Sequence, residues 1–138
     1  MKRMLANRWQ TPDGTILWSK HRHDYLEYKD KNGETYVLDG GNDYVRSSVN
    51  KEPMKNLCIH SDGTFELERE WVVWGRNYDK NMNKLPKTEW IPVKDLDEDH
   101  IFKVLELKNI PDFHRRLLEE EIIFRENQIL ESWKTQQQ

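Results

Sequence analysis

The sequence predicts an α+β fold, a twisted antiparallel sheet built from hairpins and packed by two C-terminal helices. Two observations predict it. Short runs of β-branched and aromatic residues, separated by Gly, Asn and Asp turn signals, fill residues 7–93. Apolar residues recur at helical spacing over residues 95–134. At 138 residues, one domain spanning 1–138 is the expectation.

The elements follow in order. Pro12-Asp13-Gly14 is turn chemistry entered from an extended segment. Residues 15–19 form a short β run. Asn32-Gly33 signals a type I′ hairpin, since that turn needs positive φ at both central positions. Residues 39–43 break the chain, and 44–49 return as a strand or one helical turn. Residues 61–63 are a turn. Residues 65–71 alternate apolar and charged side chains, which predicts a half-buried strand. Leu67, Trp71 and Trp74 also fit a helix, but the Val and Trp content favours the pleated surface. Residues 79–86 read as a loop and 88–93 as the partner strand, with Pro92 at its end. Asp97 is a natural N-cap before Glu98 and Asp99. Ile101, Val104, Leu105 and Leu107 form the stripe of the first helix. Pro111 opens the last one, which carries Phe113, Leu117, Leu118, Ile122 and 124–130 on a broad apolar face and ends in a frayed tail at 134–138.

Composition bounds the function. Mean hydropathy is −1.01, and 34% of residues are charged. Six tryptophans, five tyrosines and four phenylalanines still supply a core. Net charge is −3 with the signs mixed along the chain. That argues against duplex nucleic acid, which needs a basic stripe. The single cysteine, Cys58, excludes an internal disulfide and a Cys-rich zinc site, and its apolar neighbours predict a buried thiol. No apolar run approaches the roughly 20 residues of a membrane span. The first ten residues lack a signal-peptide core, so a cytoplasmic protein is expected.

Chemistry-bearing residues crowd into 21–46. Paired through Asn32-Gly33, this hairpin sets Leu26 opposite Asp39 and Tyr28 opposite Val37. Continued backward, the alternation puts His21, His23, Tyr25, Glu27, Tyr36 and Leu38 on one face. Arg22, Asp24, Leu26, Tyr28, Val37 and Asp39 take the other. Two strand histidines at i, i+2 lie roughly 6.5–7 Å apart, near enough to chelate. No third ligand is local to that face, although His60 or a distant carboxylate could supply one, so no metal is assigned. Arg22 pairs most simply with Asp24, and as a pocket floor the two could grip an anion and accept sugar or base hydrogen bonds. Gly40-Gly41 is a turn or an anion-binding nest. Trp74-Gly75-Arg76 either packs with a bulge at Gly75 or offers indole and guanidinium to a planar ligand. The carboxylates at 66, 68 and 70 and at 119–121 are expected on solvated surfaces, with His100 and His114 exposed near helix starts.

The run NRWQTPDGT at 7–15, then HRHDY and DGGNDYVR, resembles small uncharacterised accessory proteins of large tailed bacteriophages. WGRNYD, EWIPVKDLDEDHI and EEEIIFR extend the resemblance, in order, over nearly the whole chain. It implies an accessory protein acting in the host cytoplasm, with counter-defence among its roles, and it carries over no catalytic residues.

The expected function is therefore a binding protein that holds a small anionic or nucleotide-type ligand or blocks a host protein. The candidate ligand-binding residues are His21, Arg22, His23, Asp24, Tyr25, Asp39, Asp43, Tyr44, Arg46, Trp74 and Arg76. No cofactor or membrane contact is expected, and a homodimer could form the pocket. The alternatives are a metal-dependent hydrolase of a phosphorylated small molecule, using His21, His23 and carboxylates, and an interaction helix over 112–133.

Overall fold

In the computed structural model, residues 3–61 and 63–136 are described, and the chain divides into two compact units, 1–64 and 65–138. The architecture is α+β, with antiparallel sheets built from hairpins plus three helices. No described helix is long and apolar enough to cross a membrane.

The first unit is built on β1 (Arg3–Gln10). Along one edge β1 pairs with β2 (Ile16–Ser19). Along the other it pairs with β6 (Lys55–Asn56) and with β7 (Ile59–Ser61), the latter pairing shifting register between Met4 and Ala6. A second sheet runs β3 (Leu26–Lys29), β4 (Thr35–Asp39) and β5 (Arg46–Ser47). Leu17, Tyr36 and Leu38 form the core between these strands, packed by Trp9, Leu26, Tyr28 and Met54. Cys58 is half-buried rather than buried, its Sγ 3.8 Å from the Asn7 side chain. Of the turn expected at 61–63, Asp62 lies outside the described residues. Gly63 there has φ +102° and donates its N–H to Ser61 Oγ.

The β3–β4 hairpin corrects the expected register by one residue. Leu26 faces Leu38, Tyr28 faces Tyr36 and Lys29 faces Thr35. The cause is Asp30. Its Oδ1 accepts the N–H groups of Asn32 and Glu34, each at 2.9 Å. The Asp30 N–H donates to Glu34 O at 2.9 Å and the Gly33 N–H to Asp30 O at 3.0 Å. Only Gly33, at +85°, has positive φ in this loop. This is the three-residue loop ending in a left-handed glycine, not the two-residue type I′ turn. Leu26, Tyr28, Tyr36 and Leu38 therefore share the buried face.

The second unit begins with α1 (Phe65–Trp71), which overturns the strand expected there. Phe65 meets Phe124 at 5.5 Å between ring centroids, Glu68 reaches Arg116 and Arg69 reaches Glu121. Those contacts fall at helical spacing, and two of the three side chains are charged. Alternation of apolar residues could not see a buried face made of ion pairs. After α1 come β8 (Val73–Tyr78) and β9 (Lys84–Pro92), joined by a tight turn. The expected loop over 79–86 is thus shortened, because β9 starts at Lys84. Val93–Asp95 forms a 3-10 turn.

Asp97 stands at the N-cap of α2 (Glu98–Leu105), where its carbonyl accepts the Ile101 N–H at 3.0 Å, but its side chain makes no capping hydrogen bond. Ile101 and Val104 are buried as expected, but Leu107 is exposed. Pro111 precedes α3 (Asp112–Gln136). This helix runs through most of the tail expected to fray, and residues 137–138 lie outside the described residues.

Glu121, expected at the surface, is fully buried. Arg69 grips both its oxygens at 2.7 and 2.9 Å, and Arg125 Nε donates to it at 2.8 Å. Glu68, also expected in solvent, is buried beside Arg116 at 3.4 Å. Burial alone would raise the Glu121 pKa. The hydrogen-bonded guanidiniums of Arg69 and Arg125 outweigh that and hold it below the ordinary carboxylate range.

Candidate functional site

The two segments richest in candidate residues, 20–25 and 40–46, fold against one another in the first unit. The expected strand through His21 and His23 is absent. Residues 21–23 turn, with the Asp24 N–H donating to His21 O at 2.9 Å and His23 at φ +63°. The facial alternation carried back from the hairpin therefore fails before Leu26. Asp24 supports this turn: Oδ2 accepts the Lys20 N–H at 2.9 Å, and Oδ1 lies 3.5 Å from His21 Nε2. The expected Arg22–Asp24 pair is replaced, because the turn swings Arg22 toward Asp43, 3.6 Å from Nε.

Gly41 explains how closely the two segments meet. A Cβ there would lie 2.2 Å from His21 O. Buried Ser19 ties the same junction, its hydroxyl donating to Asp24 O at 2.7 Å and accepting the Gly41 N–H at 2.8 Å. The Asp43 and Tyr44 amides donate to Gly40 O at 3.1 and 3.3 Å. The amides of an anion-binding nest must point outward. Here those of Gly41, Asp43 and Tyr44 already donate to Ser19 Oγ and Gly40 O, which leaves Gly40-Gly41 its turn role.

Above this junction, His23 Nδ1 lies 3.0 Å from the Tyr44 hydroxyl. Tyr25 donates to Glu27 at 3.3 Å. Arg46 pairs with one oxygen of Asp39. Asp39 is 3% exposed, and its other oxygen, Oδ1, is buried without a hydrogen-bond partner. Buried Asn7 closes the base from β1, donating to the carbonyls of Asp39 and Tyr44 at 3.2 and 3.3 Å. Nothing in the sequence around Asn7 flagged this role; its signal was a polar residue within a run that proved to be a strand. The guanidiniums of Arg22 and Arg46 remain largely exposed. The result is a polar loop surface whose charges are mostly paired with one another. Among the described residues no three His, Cys, Asp or Glu side chains group as a metal site.

Trp74 and Arg76 belong to the second unit and pack within it. The Trp74 ring meets His114 edge-on at 5.4 Å, so His114 is half-buried rather than exposed. Arg76 donates to Glu89 at 2.5 Å. The space beside Gly75 is filled by Trp90 and Thr88, whose side chains lie 3.0–3.3 Å from where a Cβ would stand. His100 is half-buried too; burial and then Arg76 push its pKa down.

A different surface emerges on α3. Its N-terminal half is anchored by Leu117, Leu118 and the Glu121 ion pairs. Arg125 completes the anchor by donating to Val93 O and Lys94 O, both at 3.2 Å. Every residue from 126 to 136 is exposed. Ile123, Ile129, Leu130 and Trp133 are 57%, 50%, 50% and 60% exposed. At about 100° per residue, these four and half-buried Ile122 fall within an arc of about 120°. That arc lies beside the core-facing side of Leu117, Leu118 and Glu121. Glu126 stands in its middle. Open grooves of about 390 and 460 Å³ flank the same turns, one between Glu98, Ile129 and Trp133 and one beside Phe124 and Asn127. The sequence marked residues 124–130 as part of a broad apolar face and offered 112–133 as an interaction helix.

No family model, curated protein or solved structure matches this chain.

Proposed function

We propose that this chain is an accessory binding protein of the tailed-phage type, acting in the host cytoplasm by docking a host protein through α3. One observation carries the reading: three helical turns expose large apolar side chains on one face, with no core residue packed over them among the described residues. A soluble helix seldom leaves such a stripe in water unless another surface covers it. Glu126 indicates what kind of surface. A two-fold pairing of α3 with its copy about Ile129 and Leu130 would set Glu126 against Trp133, with Lys134 at the edge of the arc as its nearest cation. A partner groove with apolar walls and a Lys or Arg opposite Glu126 satisfies both features.

The test is retention of host proteins by wild type and by the Leu130→Glu/Trp133→Glu double variant, followed by titration of the retained protein in purified form. Burying the exposed part of Trp133, about 120 Å² of indole, contributes about 3 kcal/mol. Trp133→Ala should then weaken the purified complex roughly 100-fold. Equal retention by wild type and double variant would overturn the proposal. So would a wild-type dimer that Trp133→Glu splits, since the stripe would then serve self-association.

A second reading, a small anionic or nucleotide-type ligand on the loop surface, is favoured by the largely exposed guanidiniums of Arg22 and Arg46. Guanidinium forks bind phosphate and carboxylate oxygens through paired N–H donors. A nucleotide panel read by thermal shift tests it. A saturating ligand should raise the midpoint of wild type and not of Arg46→Gln, and a panel without shifts would remove this reading.

A further inference from the structure

The β8–β9 hairpin carries a feature the chain average conceals. Residues 77–88 hold Lys80, Lys84 and Lys87 against a single carboxylate, Asp79. That carboxylate is turned inward, where its Oδ1 accepts the N–H groups of Asn81 and Asn83, each at 2.9 Å. The three lysines are exposed and form no ion pair among the described residues. Lys84 faces Tyr78, which is 49% exposed. Lys87 lies in the irregular stretch of β9 between Lys84 and Glu89, where the pairing with β8 shifts register. Among the described residues β8 and β9 pair only with each other, so the arm is a two-stranded ribbon.

The tip adds an independent observation. The turn at 79–83 repeats the hydrogen bonds of the turn at 30–34. The Asp79 N–H donates to Asn83 O and the Met82 N–H to Asp79 O, as Asp30 and Gly33 do in the first turn. Where the first turn has glycine, the second has Met82, at φ +64° and 67% exposed. A left-handed methionine costs the fold energy that glycine would save. It places a long apolar side chain at the outermost point of a lysine-bearing ribbon.

We propose that the β8–β9 hairpin is a nucleic-acid-binding arm, its lysines meeting backbone phosphates and Met82 entering a duplex groove as an apolar wedge. A two-stranded ribbon fits a groove, exposed lysines along it meet phosphates, and apolar side chains can part base steps. Tyr78 and the amides of Asn81 and Asn83 offer stacking and base-edge contacts at the same end. An acidic protein surface would use the lysines but has no need of a wedge held out against backbone strain.

The experiment is fluorescence polarisation with a labelled duplex of about 20 base pairs and the matching single strand, with the full chain at two salt concentrations. With three phosphate contacts, wild-type affinity for the duplex should fall about 40-fold between about 50 and 200 mM salt. Lys80→Gln/Lys84→Gln/Lys87→Gln should abolish binding with an unchanged circular dichroism spectrum. Met82→Gly should weaken duplex binding several-fold while keeping the salt slope and the single-strand affinity. Three outcomes would overturn the proposal: no binding at low salt, binding indifferent to the triple lysine variant, or polyglutamate competing as well as the duplex at equal charge.

Discussion

Replacing Glu121 by Gln tests how the second unit is held together. Glu121 is fully buried and accepts three hydrogen bonds from Arg69 and Arg125. The substitution preserves volume but removes the charge, leaving two guanidiniums beside a neutral amide. Breaking a buried ion pair on one side costs about 3–5 kcal/mol. Arg69 and Arg125 keep 21% and 18% of their side chains in contact with solvent, which softens the cost toward the lower bound. A loss of about 3 kcal/mol is therefore expected, a large share of the roughly 5–15 kcal/mol that holds a domain folded. Urea denaturation followed by tryptophan fluorescence measures it, and the thermal midpoint should fall by about 10 °C.

The same substitution has a pH signature. The folded pKa of Glu121 lies below its ordinary value of 4.5. Its stabilisation is thus complete above about 4.5 and is lost as the pH falls through the folded value. Glu121→Gln should flatten that part of the acid limb. A loss under 1 kcal/mol with an unchanged acid limb would refute the view that this cluster anchors α1 to α3.

Other outcomes follow from the backbone. Met82→Gly should stabilise the fold by about 0.5–1 kcal/mol, because relief of left-handed strain exceeds the added freedom of glycine in the unfolded chain. A lower urea midpoint would count against strain at Met82. Gly41→Ala should cost about 2–4 kcal/mol, since its Cβ would stand 2.2 Å from His21 O. Gly14→Ala, with its nearest neighbour at 4.0 Å, should cost only about 1 kcal/mol. Equal losses at the two positions would show that the loops do not meet as described.

The α+β class, the β3–β4 hairpin and the helix starts at Asp97 and Pro111 were legible because each rests on local chemistry. The hairpin register was not. Asn32-Gly33 pointed to one turn, and the Asp30 carboxylate, by capping two amides, selected another. That single slip moved Tyr36 and Leu38, rather than Val37 and Asp39, onto the face of Leu26 and Tyr28. Helix α1 was hidden for a different reason: its inward side chains include Glu68 and Arg69, whose partners lie some fifty residues away on α3. The convergence of 21–24 with 43–44 was anticipated as a cluster but not as a geometry, since it depends on Ser19 and Asn7, buried polar residues with long-range partners. The apolar content of α3 was plain in the sequence. That its second half stands outside the core was not, because periodicity tells where apolar residues face and not whether anything is there to meet them.

Amide hydrogen exchange along α3 tests the central claim most directly, measured on the free chain and on the chain bound to the purified protein that the wild type retains. Residues 112–125, held by Leu117, Leu118 and the Glu121 ion pairs, should be protected in both. Residues 126–136 continue the anchored helix to its free end with every residue exposed, so they open at low cost. They should exchange rapidly in the free chain and slow at least tenfold in the complex. Uniform protection along α3 in the free chain, or no slowing of 126–136 in the complex, would contradict a docking helix.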